Sequence, residues 1–79
     1  MSMKLQLYYF ESCPYCRRVL QFMQQNNIQV TMKDILKEPS NRDELIRIGG
    51  KSQVPCLVIE GKPLYESLDI IEWFKKNRL

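Results

Sequence analysis

The sequence predicts an α/β domain of element order β-α-β-α-β-β-α, a four-stranded mixed sheet flanked by three helices. Three observations carry that expectation. The apolar spacing switches between a period near two and a period near 3.6 along the chain. Proline and glycine stand at the switches. One run, Cys56-Leu57-Val58-Ile59, is apolar without interruption, as a strand covered on both faces would be.

The elements follow in order. Lys4 to Phe10 alternates partly and then turns apolar, the pattern of a buried first strand, and Glu11-Ser12 connects it onward. From Pro14 the spacing becomes helical: Cys16, Val19, Leu20 and Met23 fall on one face, with Arg17, Arg18, Gln21, Gln24 and Gln25 around the rest. That helix ends near Asn26-Asn27. Gln29 to Lys33 alternates again, with Val30 and Met32 on one side, and reads as a second strand. Pro39-Ser40 opens a second helix, where Ser40 and Asp43 suggest a capping box and Leu45, Ile46 and Ile48 an apolar face. Gly49-Gly50 ends it. After Cys56–Ile59, Glu60-Gly61-Lys62 turns the chain into a short strand at 63–65. Ser67 then caps a last helix that carries Leu68, Ile70, Ile71 and Phe74 inward. The first strand–helix–strand unit is expected to be a right-handed parallel crossover, and the last two strands an antiparallel hairpin.

With 79 residues, 44% hydrophobic and 27% charged, the chain is expected to be one globular domain spanning 1–79. The net charge of +3 is mild. Lys75, Lys76 and Arg78 cluster near the C-terminus without interleaved aromatics, which reads as a helix end favoured by cations rather than a nucleic-acid surface. No apolar run is long enough for a membrane span. Met1 to Phe10 lacks the pattern of a secretory signal, so the cytoplasm is the expected compartment. There thiols are held reduced, and a disulfide is usually transient and catalytic. Three cysteines, an odd number, also argue against a static disulfide framework.

Cys13 falls between a strand and a helix, where an N-cap residue belongs, and Pro14 occupies the first helical position. This places the Cys13 sulfur over the free backbone N–H groups of Tyr15 and Cys16. Those donors and the positive end of the helix dipole favour thiolate over thiol. Cys16 lies within the first turn but points into the helix. Cys13 is therefore the expected nucleophile and Cys16 the resolving thiol. Half of a zinc site is the competing reading, and it lacks a second ligand pair: the chain has no His, and Cys56 stands alone. A second is a pair of ordinary buried cysteines.

Placed this way, Cys13-Pro14-Tyr15-Cys16 resembles the active-site tetrapeptide of dithiol glutaredoxins, a family with the thioredoxin-like fold. Val54-Pro55, just before the third strand, is the second match, and the resemblance covers essentially the whole chain. It implies a cis Pro55 beside the cysteines, with Val54 presenting backbone on which the cysteinyl part of glutathione pairs. Tyr15 joins the glutathione-binding residues by the same resemblance. Tyr65-Glu66-Ser67-Leu68-Asp69 is similar instead to the Glu-Ser signature in the N-terminal domain of glutathione transferases. That similarity implies Ser67 and a helix N–H on the γ-glutamyl carboxylate, Glu66 at the same end, and Asp69 as a weaker candidate for the amino group. The family's lysine ahead of the first cysteine is missing: Phe10-Glu11-Ser12 stands there, and Arg17, Lys51 or neither takes its place. Glu11 itself would oppose thiolate formation. Cys56 reads as a small core residue and Trp73 as core or rim packing.

The function implied is glutathione-dependent reduction of mixed disulfides and protein disulfides through Cys13 and Cys16. Glutathione would be the reducing co-substrate, disulfide-containing or glutathionylated proteins the partners, a monomer the working state, and no metal the expectation. Two alternatives share the cysteines: a 2Fe–2S cluster carrier with glutathione as co-ligand, and a redoxin reduced by thioredoxin reductase, which would not need Ser67.

Overall fold

The computed structural model describes residues 4–77. Arg78 of the expected basic cluster, and residues 1–3 of the segment read for a signal, lie outside them. The elements are β1 (Leu5–Tyr9), α1 (Pro14–Gln25), β2 (Thr31–Asp34), α2 (Pro39–Gly49), β3 (Cys56–Ile59), β4 (Lys62–Tyr65) and α3 (Ser67–Lys76). The sheet order is β2-β1-β3-β4. β1 pairs with β2 in parallel and with β3 antiparallel, and β3 pairs with β4 antiparallel. This is the mixed, thioredoxin-like sheet that the sequence predicts.

Period-two alternation divides the core between the two faces of the sheet. Leu5, Leu7 and Leu57 pack with Val19 and Met23 of α1 and with Ile70 and Phe74 of α3. Tyr8, Cys56 and Val58 pack on the other face with Ile35 and with Leu45 of α2. β3 is thus covered on both sides, which is why its apolar run is unbroken. At the tip of the β3–β4 hairpin, Glu60 and Gly61 both take positive φ, 50° and 82°, the conformation a two-residue hairpin loop needs. Pro63 is tolerated because β4 is an edge strand.

Several local expectations are corrected. β2 begins at Thr31 rather than Gln29, since its pairing with β1 runs from Gln6↔Thr31 to Tyr9↔Asp34. Pro39 takes the first position of α2, which leaves Glu38 as the N-cap with no side-chain cap bond, so the Ser40–Asp43 box does not form. Asn41 supplies a different tie: its Nδ2 donates to the Asp34 carbonyl at 3.0 Å, joining α2 to the end of β2. Ile46 and Leu68 are exposed, at 36% and 66%. Leu68 lies about 200° around α3 from the buried Ile70 and so faces outward. Gly50 closes α2 in the left-handed region at φ 80°.

Candidate functional site

The loop after β1 delivers Cys13 to the start of α1. Its backbone is extended (φ −76°, ψ 121°), it holds the N-cap, and Pro14 follows at the first helical position. The Cys13 Sγ accepts from the Cys16 N–H at 3.4 Å, so of the two donors expected over the sulfur, that of Cys16 makes the contact. Cys13, Cys16 and Cys56 form no disulfide in the structure. Cys13 retains 6% exposure and Cys16 none. Burial pushes the Cys16 thiol up to about 12, and the adjacent Cys13 thiol adds to the rise. A sulfur at the helix N-terminus, on a residue that keeps slight exposure, is therefore paired with a fully enclosed partner that holds its proton. Cys56 is fully buried in the α2-side core, where desolvation raises its thiol to about 11. It is a packing residue.

A cleft of about 360 Å³ opens beside the start of α1, lined by Tyr15, Gln53, Val54, Pro55, Glu66 and Ser67. Three separate segments build it. Tyr15, from the first turn of α1, is exposed at 60%. The Val54–Pro55 peptide is cis and forms the second wall. The third is the entry to α3, where Ser67 is the first helical residue and Glu66 occupies the N-cap with φ 72° and no side-chain cap bond. Ser67 was expected to be the cap itself. Glu66 takes that place because its carbonyl accepts the Ile70 N–H at 3.0 Å, so the helix is entered one residue earlier.

All five residues anticipated around a bound glutathione, Tyr15, Val54, Pro55, Glu66 and Ser67, thus line one cleft. Asp69, Arg17 and Lys51 do not. The Lys51 Nζ sits 4.4 Å from the centroid of the Tyr65 ring, a cation–π contact, and Arg17 lines a separate groove. Among the described residues, no lysine or arginine lines the cleft in place of the missing lysine. Glu11, feared as a charge near Cys13, is paired at 3.2 Å with Lys37. Sequence reasoning missed Gln53, whose Nε2 donates to the Glu66 Oε1 at 3.2 Å and bridges two walls of the cleft. Its one sequence signal was adjacency to Val54-Pro55. Trp73 packs edge-on to Phe74 against the α1/α3 core, as expected of a packing residue.

The description of the glutathione S-transferase N-terminal domain matches residues 7–78. The chain belongs to the glutathione S-transferase N-terminal domain family. The solved structures similar to this domain include glutathione transferase Omega 3C from Trametes versicolor, at a TM-score of 0.80 and 28% identity over 98% of this chain and 34% of that one. Glutaredoxin 2 from Salmonella typhimurium, solved with glutathione, follows at a TM-score of 0.78 and 25% identity over 96% of this chain and 34% of that one. A thioredoxin-like protein matches at a TM-score of 0.75 and 26% identity, over 92% of this chain and 96% of that one. The chain spans about a third of the length of the transferases it matches. No curated protein matches the sequence. The family and its structural neighbours place this domain among glutathione-related proteins, with both transferases and glutaredoxins on hand.

Proposed function

We propose that this protein is a glutathione-dependent thiol–disulfide oxidoreductase of the glutaredoxin type, working in the cytoplasm as a monomeric domain over 1–79. The observation that carries the reading is the second cysteine. Conjugation of glutathione asks for no second thiol, whereas exchange on a protein disulfide uses one thiol at an activated position and another to resolve the intermediate. Here that position is filled by Cys13, and Cys16 stands within its hydrogen-bonding turn.

The Cys13 thiolate attacks the glutathione sulfur of a mixed disulfide. The substrate sulfur leaves as a thiolate and takes a proton from water, and Cys13 becomes disulfide-bonded to glutathione. The glutathione moiety lies in the cleft, its cysteinyl backbone along Val54 and its γ-glutamyl carboxylate at Ser67 and the first N–H groups of α3. Glu66 meets the γ-glutamyl ammonium, and Gln53 holds Glu66 in place. A second glutathione thiolate attacks the bound glutathione sulfur, releasing glutathione disulfide and the Cys13 thiolate. With a protein disulfide, the Cys13 thiolate first attacks one of its sulfurs, freeing the other as a thiolate that takes a proton. Cys16, losing its proton as it attacks the Cys13 sulfur, then expels the reduced substrate, and two glutathione molecules reduce the resulting Cys13–Cys16 disulfide to two thiols with formation of glutathione disulfide.

The cleft volume of about 360 Å³ falls in the range of small-ligand sites. The test is turnover of a glutathione mixed disulfide in a glutathione and glutathione-reductase coupled assay, with Cys13→Ser and Ser67→Ala beside the native chain. Cys13→Ser should abolish turnover, and Ser67→Ala should raise the apparent KM for glutathione. Turnover surviving Cys13→Ser would overturn the reading. Glutathione conjugation of an electrophile without disulfide reduction would favour a transferase.

A further inference from the structure

The cleft accounts for one arm of a mixed disulfide; the other arm is a polypeptide, and it needs a path away from Cys13. Cys13, Arg17, Leu20 and Gln24 are spaced by four, three and four residues, which sets them on one stripe along α1. Tyr15, which lines the glutathione cleft, lies about 200° around the helix from Cys13. A second, open groove of about 450 Å³ runs along the Arg17–Leu20–Gln24 stripe, lined by Glu11, Arg17, Leu20, Gln21 and Gln24; Cys13 does not line it, and lies two residues after Glu11 and four before Arg17. The two recesses therefore take residues from different sides of α1, Tyr15 on one and Arg17 on the other, within four positions of Cys13.

We propose that this groove is the seat for the polypeptide arm of a glutathionylated protein, and that it selects acidic residues flanking the modified cysteine. The inference rests on the function proposed above. Charge argues for the occupant. Among the described residues the ion pairs are Lys33–Glu44 and Lys37–Glu11, so the exposed Arg17 has no carboxylate partner. Among the described residues, the one acid lining the groove is Glu11, and its Oε1 lies 3.2 Å from the Lys37 Nζ. Arg17 thus offers an unused planar fork to an incoming carboxylate. Gln21 and Gln24 add amide donors and acceptors suited to an extended backbone, and Leu20 gives a small apolar floor. Attack by Cys13 on the glutathione sulfur then releases the peptide thiolate into this groove, where it gains a proton from water. Glutathione remains on Cys13 in the other recess.

The test compares two glutathionylated hexapeptides, with Asp or Lys on both sides of the cysteine, and the glutathione mixed disulfide of 2-mercaptoethanol. The native chain should favour the Asp peptide in kcat/KM by about 3- to 10-fold at low salt, and less as salt screens the pair. Arg17→Glu should reverse that preference while changing turnover of the small disulfide by under about twofold. Arg18→Glu makes the same charge change about 100° around the helix and should leave the preference in place. If Arg17→Glu does not fold, Gln21→Glu should narrow the preference in the same direction. No preference in the native chain, or equal shifts from Arg17→Glu and Arg18→Glu, would overturn the groove while leaving the cleft standing. Inactivity on the small disulfide would overturn both.

Discussion

Selective alkylation of the three thiols tests how burial divides their chemistry. Cys16, near 12, is thiolate at pH 8 to roughly one part in ten thousand, about three decades below an ordinary thiol. Cys56, near 11, lies about two decades below. A more basic thiolate is a better nucleophile, and a Brønsted slope of about 0.4–0.5 returns a little over one decade to Cys16 and just under one to Cys56. Ionisation alone therefore slows Cys16 by roughly 30-fold and Cys56 by roughly 10-fold, and both are fully enclosed, so reagent access slows them further. Cys13 keeps 6% exposure and the Cys16 N–H on its sulfur. The assay is iodoacetamide treatment of the reduced protein between pH 6.5 and 9, with site occupancy read by peptide mass spectrometry. Cys13 should be carboxamidomethylated first, with Cys16 and Cys56 essentially intact, and all three should react alike in guanidinium. Cys16 labelling as fast as Cys13 at pH 8 in the folded protein would refute the division into nucleophile and buried partner.

Cys16→Ser should keep most turnover of glutathione mixed disulfides while losing about tenfold or more in reduction of protein disulfides, followed by insulin precipitation. The folded-state pKa values of Cys16, Cys56 and Tyr8 are all raised, so their stabilisation is complete below their unfolded values; urea midpoints should hold up to about pH 9 and fall as pH climbs toward 12. Gly49→Ala should destabilise by about 1–2 kcal/mol despite its helix propensity, because a Cβ there would overlap the Tyr65 hydroxyl and lie 3.0 Å from its Cζ. That hydroxyl is buried beside Cys56 without a well-formed hydrogen bond, so Tyr65→Phe should be near neutral alone and should rescue Gly49→Ala in a thermal-melt double-mutant cycle.

The element order was legible because each segment carries its own period. Leu5, Leu7 and Leu57 had to face one side and Tyr8, Cys56 and Val58 the other, and the structure fills both sides accordingly. The misses share one cause, competition between local rules. At α2, Ser40 is a good cap, but Pro39 cannot sit inside a helix and fits only the first helical position, which moves the cap to Glu38. At α3, Ser67 is likewise a good cap, yet Glu66 accepts a positive φ and takes the position. Neither outcome follows from cap preferences alone, because in both cases a neighbour's backbone decides.

The site divides along the same line. Cys13, Pro14 and Cys16 act through one turn of backbone, so their spacing was enough to locate a sulfur on a helix N-terminus. Val54, Pro55, Glu66 and Ser67 were named by resemblance, and their convergence with Tyr15 in one cleft is a tertiary fact. Gln53 shows why such a fact escapes a linear reading. A loop amide is the default surface residue, and it joins the site only because the approach to β3 is carried against the entry to α3, thirteen positions on. Under the proposed function, thiol reactivity is therefore written locally and ligand choice non-locally. Substitutions at 53 and 66–67 should change which thiol the domain accepts while leaving the alkylation order of its cysteines untouched. Substitutions at 13–16 should do the reverse. A variant such as Glu66→Gln that altered the Cys13 labelling profile would show that the two layers are coupled, and would place the Gln53–Glu66 bridge within the electrostatics of the sulfur.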